Sequence, residues 1–427
     1  MIDLKLLRND PELVRASLKR RGSTVDLDRL ISLDAAYRQL LQEVEVARAE
    51  QNQAGKHIAE ASGPEKQEAI AEMRRLSDRL KAQEADLAER NAELDEALTH
   101  VPNLVHPDAP DGSGDDANRL VRTVGTRPAF PFTARDHLDI GETLGIIDVE
   151  RAGKVSGSRF AFLLGAAALL ELSLVRMVID RVSADGFVPV IPPVLVRREA
   201  MYGTGFFPTD EAQVYRCADD DLYLAGTAEV PIASMHAREI LPVETLPRRY
   251  LGYSTCFRRE AGTYGKDTRG IIRVHQFDKA EMFSFCLPED SDDEHQRILA
   301  HEEGIFQALE IPYRVLEICA GDLADPNYRK FDIEAWLPGS GRWLEVTSCS
   351  NDIDYQARRL GIRTKRVAPA GGSSSGTDVV HTLNGTALAM GRAIVALLEN
   401  HQQADGSVLV PEALRPYLGS ELIEARA

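Results

Sequence analysis

The segment between residues 27 and 100 restricts the fold more than any other part of this 427-residue chain. Its apolar residues recur mostly at steps of three, four or seven, on either side of the helix-breaking tripeptide Ser62-Gly63-Pro64. The first set comprises Leu30, Leu33, Tyr37, Leu40, Val44, Ala47, Ala54 and Ile58, and the second comprises Met73, Leu76, Leu80, Leu87, Leu94 and Leu98. These are heptad seams, so we predict two coiled-coil helices at about 27–62 and 65–100.

Because so short a turn joins the two helices, they must be antiparallel and form an arm on the order of 50 Å long. The faces outside the seam are charged all round. Such an arm is typical both of a dimerisation coiled coil and of a surface that binds another partner, and this segment alone does not distinguish the two.

The net charge and the cysteine pattern argue against several broad classes of protein. A formal net charge of −17 argues against general attraction to nucleic acid or to an anionic membrane, although a local Lys/Arg cluster is enough to bind phosphates. The five cysteines form no CxxC pair, which speaks against a zinc cage or a disulfide framework and favours a reducing compartment. No zinc is therefore expected.

The apolar stretches favour a soluble protein. The N-terminus MIDLKLLRNDPELVR carries charges throughout and lacks the apolar centre of a signal peptide. The most apolar run, residues 160–182, is interrupted by Glu171, Arg176 and Asp180, so we expect a buried helix there and not a membrane span. These features predict a cytoplasmic location.

Changes in composition along the chain predict two domains joined by a linker. Residues 101–131 are rich in Pro, Asp and Gly, as linkers often are. Beyond them, helical patterns at 160–185, 290–310 and 385–403 are interspersed with strand patterns, without the regular βαβ alternation or the glycine-rich phosphate loops of nucleotide-binding folds. We therefore predict an α+β protein. Its parts are an N-terminal domain at 1–105, a linker at 106–131 and a second domain at 132–427.

The stretch from Cys256 to Phe285 contains the most informative chemistry. Two strand patterns flank a glycine-containing loop, and Arg258 ends the first strand. We expect Arg273, Phe277 and Glu281 to share one face of the second strand, with His275 and Lys279 opposite. A guanidinium, an aromatic ring and a carboxylate on one face suit a nucleotide. A solvated hairpin in which Phe277 fills the core fits the same spacing.

Four segments, in order, resemble class II aminoacyl-tRNA synthetases of the seryl-tRNA synthetase family. FRRE, a loop and RVHQFDKAEMF resemble motif 2, at about 251–285. GFVPVIPPVLV, at about 186–196, resembles motif 1, whose proline packs at the dimer interface. LAGTAEVPI resembles the serine-binding loop, and LNGTALAMGRAIVALLENHQ resembles motif 3, at about 384–403. Together with the hairpin, these segments imply an antiparallel-sheet class II catalytic domain surrounded by helices, with an N-terminal tRNA-binding arm.

The resemblance implies how ATP is bound. Arg258 would bind the α-phosphate, Glu260 would read the adenine amino edge, and Phe277 would stack on adenine. Arg392, in a helix opened by Asn384-Gly385-Thr386, would cover the other adenine face and the γ-phosphate. These roles make Arg258, Glu260 and Arg392 the candidate catalytic residues. The implied ATP contacts are Arg258, Arg259, Glu260, Val274, Phe277, Glu345, Val346, Thr347, Ser348 and Arg392.

The resemblance also implies a metal site and an amino-acid pocket. Glu345 and Ser348 would hold Mg²⁺, which at a triphosphate needs only one or two carboxylates. The implied serine contacts are Thr227, Ala228, Glu229, Glu281, Asn384 and Thr386. A site that hydrogen-bonds a hydroxyl group rejects alanine by about 10⁴-fold, because its buried polar groups would otherwise go unpaired. Which carboxylate binds the ammonium group and which binds the hydroxyl stays open.

The implied activity is that of a serine–tRNA ligase. Serine attacks the α-phosphorus of ATP to give seryl-adenylate and pyrophosphate, and the 3′ end of tRNA(Ser), by resemblance also tRNA(Sec), takes the acyl group. A homodimer through motif 1 is implied, with the arm reaching tRNA across the dimer and reading its shape and backbone. Candidate tRNA contacts are Arg48, Lys56, Arg74, Arg75, Arg79 and Lys81.

Two alternatives use the same fold. A class II paralogue would deliver activated serine to an acceptor other than tRNA, but it would be expected to lack the tRNA-binding hairpin. A non-catalytic coiled-coil interaction protein would be expected to have lost the ATP-binding residues. This chain retains the hairpin and those residues, so both alternatives rank below the ligase. Whether it is a cell's main enzyme or a second, inhibitor-resistant copy is not determined by the sequence.

Overall fold

The computed structural model describes residues 1–262, 269–365 and 376–424, so part of the motif 2 loop lies outside the described residues. The described chain divides into two compact units. One comprises Ile2–Lys19 and Ser23–Pro102, and the other comprises Met1, Arg20–Gly22 and the residues from Asn103 onward.

The N-terminal unit contains the helical arm that the heptad pattern predicts. Its helices are α1 (Leu4–Asn9), α2 (Pro11–Arg20), α3 (Leu27–Glu60) and α4 (Gly63–Thr99). The side chain of Asp26 caps α3 by accepting a hydrogen bond from the Arg29 backbone N–H at 2.9 Å. Helices α3 and α4 pack against each other through a seam of buried residues. The buried seam residues are Leu30, Leu40, Val44, Ala47, Leu80, Leu94 and Leu98.

A buried carboxylate in this unit was not predicted from the apolar pattern. Asp34 is 2% exposed and accepts hydrogen bonds from Arg8 at 2.6 and 2.9 Å and from Arg38 at 2.9 Å. Burial alone would raise the pKa of Asp34, but the two guanidinium groups hold that pKa below its ordinary value. The ion pairs therefore compensate the charge of a carboxylate that is buried in this unit.

The second unit is an α+β assembly. Its helices are α5 (His137–Thr143), α6 (Val149–Ser156), α7 (Ala166–Ser183), α8 (Arg198–Thr204), α9 (Glu229–Ser234), α10 (Ser291–Ala308), α11 (Tyr355–Leu360), α12 (Met390–Asn400) and α13 (Arg415–Leu418). Among the described residues, none of the helices has the length and apolar character that crossing a bilayer requires.

Eight strands of this unit form its main sheet, in the order β1-β11-β12-β13-β16-β10-β9-β4. They are β1 (Arg119–Val124), β4 (Val188–Val190), β9 (Arg248–Phe257), β10 (Gln276–Cys286), β11 (Tyr313–Glu317), β12 (Arg329–Leu337), β13 (Arg342–Asn351) and β16 (His381–Ala389). All neighbours are antiparallel except β4 and β9. The predicted class II sheet is therefore confirmed, and its centre brings together the segments of motifs 2 and 3.

The remaining strands form small peripheral sheets. They are β2 (Ile147–Asp148), β3 (Phe162–Leu163), β5 (Leu195–Val196), β6 (Tyr215–Cys217), β7 (Leu222–Leu224), β8 (Ile240–Pro242), β14 (Arg363–Lys365), β15 (Asp378–Val379), β17 (Val408–Leu409) and β18 (Leu422–Ile423). Of these, β5, β6 and β7 form the three-stranded sheet that precedes the TAE segment.

A glycine allows the central strands to pack closely on helix α10. Gly385 in β16 pairs with Cys349 in β13, and a Cβ at this position would lie 2.2 Å from Cγ2 of Ile298 and 2.8 Å from a carboxylate oxygen of Glu302. Real Cβ contacts are never this short, so any larger side chain would force the helix away from the sheet.

The elements differ from the sequence prediction in three places. Asn384-Gly385-Thr386 lie within β16, and the helix of motif 3 begins only at Met390, so the predicted helix start was wrong. The second strand of motif 2 begins at Gln276, so Arg273 precedes it. Strand β1, within the segment predicted to be a linker, pairs with β11 at the edge of the main sheet.

Candidate active site

A polar pocket lies where the central strands meet the start of α12. Arg258 follows the end of β9, Phe277 and Lys279 come from β10, and Arg392 comes from the first turn of α12. The predicted residues that line this pocket are Arg258, Glu260, Val274, Phe277, Glu345, Val346, Thr347, Ser348, Thr386 and Arg392. The fold therefore brings motif 2, strand β13 and motif 3, which are distant in sequence, together in one site.

Three guanidinium groups and one exposed carboxylate, Glu345, line the same pocket. Arg392 donates a hydrogen bond to the Glu345 backbone oxygen at 2.7 Å, and its Nη1 lies 3.8 Å from the Glu345 carboxylate. The surrounding protein displaces part of the water around the Glu345 carboxylate, which would raise its pKa, yet nearby cations hold that pKa below its ordinary value. These cations are Lys330, Arg392, Arg258 and Arg273. Such a concentration of positive charge suits a polyanion.

Arg258 connects the pocket to the TAE segment. Its Nε donates to the Gly226 backbone oxygen at 3.3 Å, immediately before Thr227. Its guanidinium carbon lies 5.3 Å from the centre of the Phe277 ring, within cation–π range. The side chain of Arg258 is therefore fixed between an aromatic surface and the predicted amino-acid loop.

Glu260 and Arg273 form a second fixed pair at the pocket wall. Arg273 Nη1 donates to Glu260 Oε2 at 2.6 Å, and the Glu260 side chain is only 10% exposed. The backbone of Glu260 has a φ of +50°, which is uncommon for a residue with a side chain. The local structure therefore holds this carboxylate in a strained conformation that turns it toward Arg273.

A buried polar cluster adjoins the pocket and shares Lys279 and Thr386 with its lining. Glu281, 2% exposed, forms an ion pair with Lys279, 6% exposed. Thr386 donates to Glu281 Oε2 at 3.2 Å and accepts from Lys279 at 3.4 Å. The carboxylate, the ammonium group and the hydroxyl group thus compensate one another's burial.

A second carboxyl group, that of the half-buried Glu229, belongs to the TAE segment itself. Glu229 Oε1 accepts hydrogen bonds from Gln356 at 2.7 Å and from Asn384 at 3.3 Å, and the Asn384 amide also donates to Asp352 at 3.2 Å. Burial, with the nearby Asp352 and Glu281, raises the pKa of Glu229 to about 8. Burial likewise raises the pKa of Asp352 to about 7. Such perturbed carboxyl groups in a cleft are typical of functional sites.

Comparisons with known proteins identify the family. The model of the seryl-tRNA synthetase N-terminal domain matches residues 1–105, and that of the class II tRNA synthetase core domain (G, H, P, S and T) matches residues 214–401. A serine–tRNA ligase of Thermobifida fusca is 51% identical over 424 residues, which cover 99% of each chain. The chain belongs to the seryl-tRNA synthetase family.

Solved structures of seryl-tRNA synthetases have the same fold. The enzyme of Pyrococcus horikoshii complexed with ATP matches with a TM-score of 0.93 at 41% identity, covering 100% of both chains. The cytoplasmic enzyme of Naegleria fowleri in complex with AMP matches with a TM-score of 0.87 at 32% identity, covering 99% of this chain and 97% of that chain. The predicted seryl-tRNA synthetase family and class II architecture are therefore confirmed.

One face assignment within this synthetase-type pocket was wrong. Lys279 was predicted to lie opposite Phe277 and Glu281, but all three occupy the same face of β10, since residues two apart in a strand share a face. The signal was present in the sequence, because 277, 279 and 281 differ by steps of two.

Other predicted residues of this synthetase lie outside the pocket lining. The exposed Arg259 is held through its backbone N–H, which donates to Gln213 at 2.8 Å, and Ala228 is fully buried at the start of α9. Lining residues absent from the predicted set are Ile271, Ile272, Arg273, Lys279, Ala389 and Gly391. Of these, Arg273 was expected from its spacing to Phe277 to share a nucleotide-binding face, whereas no single-residue signal marked Ile271, Ile272, Ala389 or Gly391.

The predicted tRNA-contacting residues of the arm fall into two groups. Arg48 is paired with Glu84 at 2.7 Å, Arg79 with Glu50, and Arg75 with Glu72 at 3.7 Å. Within the described part of the chain, Lys56, Arg74 and Lys81 have no carboxylate oxygen within 4.0 Å. Arg74 and Lys81 are exposed and seven residues apart in α4, so they lie on one side of that helix.

Proposed function

We propose that this chain is a serine–tRNA ligase that forms seryl-adenylate in the pocket between Arg258 and Arg392 and then transfers serine to tRNA. The observation that carries the proposal is one pocket lined by Arg258, Arg392 and Glu345, beside a buried cluster of hydroxyl and carboxyl groups. The names of the similar proteins, serine–tRNA ligases from several bacteria and a seryl-tRNA synthetase complexed with ATP, support it.

In the proposed ATP site, Arg258 binds the α-phosphate, and Phe277 and Arg392 face the two sides of adenine. Negative charge grows on the α-phosphoryl oxygens as serine attacks, and a fixed guanidinium stabilises that charge in the transition state. Glu260 reads the adenine amino group. Its second function is to hold Arg273 at the pocket wall, where Arg273 adds to the positive field.

Glu345 and Ser348 are the residues that we propose to hold Mg²⁺. The Glu345 side chain is 47% exposed, lines the pocket and is kept ionised by the cations around it. One or two carboxylates are enough for Mg²⁺ when phosphates and waters fill its other positions. When bound, the ion would neutralise charge on the triphosphate.

We assign the serine ammonium group to Glu229 and the serine hydroxyl group to Glu281 and Thr386. Lys279 already compensates the charge of Glu281, whereas among the described residues no cation lies within 4.0 Å of Glu229. An incoming ammonium group would supply that missing positive charge. Thr227 and Asn384 border Glu229 and complete the proposed pocket.

The raised pKa of Glu229 predicts a pH-dependent stability of the free enzyme. Because the pKa of Glu229 is raised from 4.5 to about 8, the folded protein binds this proton more tightly than the unfolded chain does. The resulting stabilisation is complete below pH 4.5 and is lost as the pH rises to about 8. Glu229→Gln cannot lose a proton, so its Tm relative to wild type should increase with pH by a few °C, on the order expected for about 1 kcal/mol.

Thermal melts from about pH 5 to pH 8, with and without serine, measure this difference. The exposed Glu244 provides the control variant Glu244→Gln, whose melting curve should follow wild type at every pH. Parallel curves for wild type and Glu229→Gln without serine would contradict the raised pKa, and equal stabilisation of the two by serine would contradict the assignment.

We further propose that the arm binds tRNA(Ser) through Arg74 and Lys81, whereas Arg48 and Arg79 mainly join the two helices. The double variant Arg74→Gln, Lys81→Gln should raise the KM for tRNA about 10-fold. The KM should also depend less on salt, because tRNA binding releases fewer counterions when two phosphate contacts are missing. Serine-dependent ATP–pyrophosphate exchange should not change.

Arg79→Gln serves as the matched control because its guanidinium is already paired with Glu50. Charging of tRNA at several salt concentrations measures the effect. Unchanged charging by the double variant, or an equal loss in the control, would remove this surface from the tRNA site. The same assays with tRNA(Sec) test whether that tRNA is a second substrate, as we also propose.

We propose a homodimer through the motif 1 region. Leu169 and Leu172 on α7 are 55% and 62% exposed, and Val188 and Ile191 are 55% and 86% exposed. Apolar residues concentrated in this way mark interaction surfaces. Sedimentation should give about twice the 47.1 kDa chain mass, and Leu172→Lys with Ile191→Lys should lower it, unlike Leu13→Lys in the arm unit. A wild-type mass of one chain would exclude the dimer.

We propose that residues 1–105 bind tRNA and that residues 132–427 carry out catalysis. We also propose that the enzyme is cytoplasmic and provides seryl-tRNA for protein synthesis. ATP–pyrophosphate exchange with a panel of amino acids, followed by charging of tRNA(Ser) with and without its long variable arm, tests the whole proposal. Exchange with serine and loss of charging without the variable arm are expected. Serine-dependent exchange without any tRNA charging would favour the paralogue that uses another acceptor.

A further inference from the structure

Residues at the start of helix α5 bind the segment 269–273 of motif 2, which leads into the proposed nucleotide pocket. Arg269 Nε donates to Asp136 at 2.8 Å, and its Nη2 donates to Asp139 at 2.5 Å. Two residues later, the Ile271 backbone N–H donates to Nε2 of His137 at 3.3 Å. Ile271 begins the wall of the pocket that continues to Arg273, so these contacts fix the chain where the wall starts.

The His137 ring has a defined hydrogen-bonding role. Since Nε2 accepts from Ile271, Nδ1 is the protonated nitrogen and donates to Glu399 at 3.2 Å. Glu399 also accepts from the backbone N–H groups of His137 at 3.2 Å and Gly339 at 2.9 Å. The side chains of His137 and Glu399 are 3% and 0% exposed, so solvent does not replace these bonds.

Glycine allows the motif 2 segment to approach the ring. A Cβ at Gly270 would lie 2.0 Å from His137 Nε2, and the backbone of Gly270 has a φ of +72°. Across the same segment, a Cβ at Gly391 would lie 3.5 Å from the Ile271 carbonyl oxygen. The chain at Ile271 is therefore enclosed between α5 and the first turn of α12.

These contacts join two walls of the pocket. Glu399 belongs to α12, the helix that presents Arg392, while Ile271 leads to Arg273 on the opposing wall. The path from Glu399 through His137 to the Ile271 amide consists of two hydrogen bonds between buried groups. The position of one arginine-bearing segment is thereby fixed relative to the other.

We propose that His137, supported by Glu399, is a positioning residue of the nucleotide site. It holds the segment 269–273 against α12 so that Arg273 and Arg392 face the same triphosphate. The proposal rests on the proposed function, in which this pocket binds ATP. His137 itself does not touch the reacting atoms.

The variants His137→Phe and His137→Gln test the proposal. Phe keeps an aromatic ring, a somewhat larger one, but removes the acceptor, and Glu399 keeps its two backbone donors in either variant. In ATP–pyrophosphate exchange, His137→Phe should raise the KM for ATP about 3- to 10-fold, the range expected for one lost hydrogen bond, with little change in the KM for serine. His137→Gln, whose amide oxygen can accept from Ile271, should recover most of the ATP affinity.

His236→Gln is the matched control. His236 is 7% exposed and is likewise bonded to a carboxylate, Glu239, at 2.8 Å, but it does not line the pocket. Hydrogen exchange provides a readout that is independent of activity. Peptides covering 269–273 should exchange faster in His137→Phe than in wild type or His236→Gln.

An unchanged KM for ATP in His137→Phe, or a His137→Gln variant no better than Phe, would overturn the proposal. If wild type shows no serine-dependent exchange, the proposed function fails. The positioning role is then decided by ATP affinity from calorimetry, where equal affinities of wild type and His137→Phe would overturn it and weaker binding by His137→Phe would support it.

Discussion

Arg258→Met is expected to lower serine-dependent ATP–pyrophosphate exchange by about 10²- to 10³-fold, the loss typical when one preorganised charge-stabilising donor is removed. Its guanidinium is fixed by the Gly226 carbonyl and by the Phe277 ring before any substrate arrives. The rate should fall mainly through kcat, because the α-phosphate gains negative charge in the transition state. Initial rates at saturating and limiting ATP separate kcat from KM.

Arg248→Met is the control for this prediction. Arg248 begins the same strand, β9, but bonds to Thr245 at 3.0 Å and does not line the pocket. The control should retain wild-type exchange, and both variants should melt close to wild type. A loss of less than 10-fold in Arg258→Met would mean that another group carries the α-phosphate.

Glu281→Gln is expected to reduce kcat/KM for serine by about 10²-fold or more, the range for removing one partner of a buried, hydrogen-bonded charge pair at a binding site. The substitution keeps the size of the side chain but leaves Lys279 without its buried counter-charge and replaces one of the two carboxylate oxygens next to Thr386 by an amide NH₂ donor. Serine should lose its hydroxyl contact, whereas ATP affinity measured by calorimetry should change little. Discrimination against alanine should also fall, because the pocket would no longer require a hydroxyl group.

Glu294→Gln is the matched control, since Glu294 is 4% exposed and forms an ion pair with Arg249 at 2.5 Å outside the pocket. Both variants should lose thermal stability, but only Glu281→Gln should lose serine activation. Equal kinetic losses in the two variants would mean that Glu281 acts through the fold alone.

The helical arm was predictable because the heptad pattern is long and its turn is unambiguous. The burial of Asp34 was not predicted, since it depends on Arg8 from another helix, which no periodicity reveals. Strand β16 was predicted as helix because it is buried on both faces, so its apolar residues do not alternate. Its pairing with β10 and β13 decides its conformation.

Within the site, the sequence predicts the residues that belong to recognisable motifs, but it does not predict the contacts that hold those residues in place. Arg258, Glu345 and Arg392 meet in one pocket as predicted, although their roles are still proposals. The ion pair between Glu260 and Arg273 depends on a left-handed backbone that no local pattern indicates. The contact of His137 with Ile271 spans 134 residues, so only the folded chain reveals it.

A crystal structure with a non-hydrolysable analogue of seryl-adenylate tests the central claim most directly. We predict that the phosphate-mimicking group contacts Arg258, that adenine lies between Phe277 and Arg392, and that the seryl group lies among Glu229, Glu281 and Thr386. An analogue bound elsewhere, or bound here with either arginine turned away from it, would contradict the account.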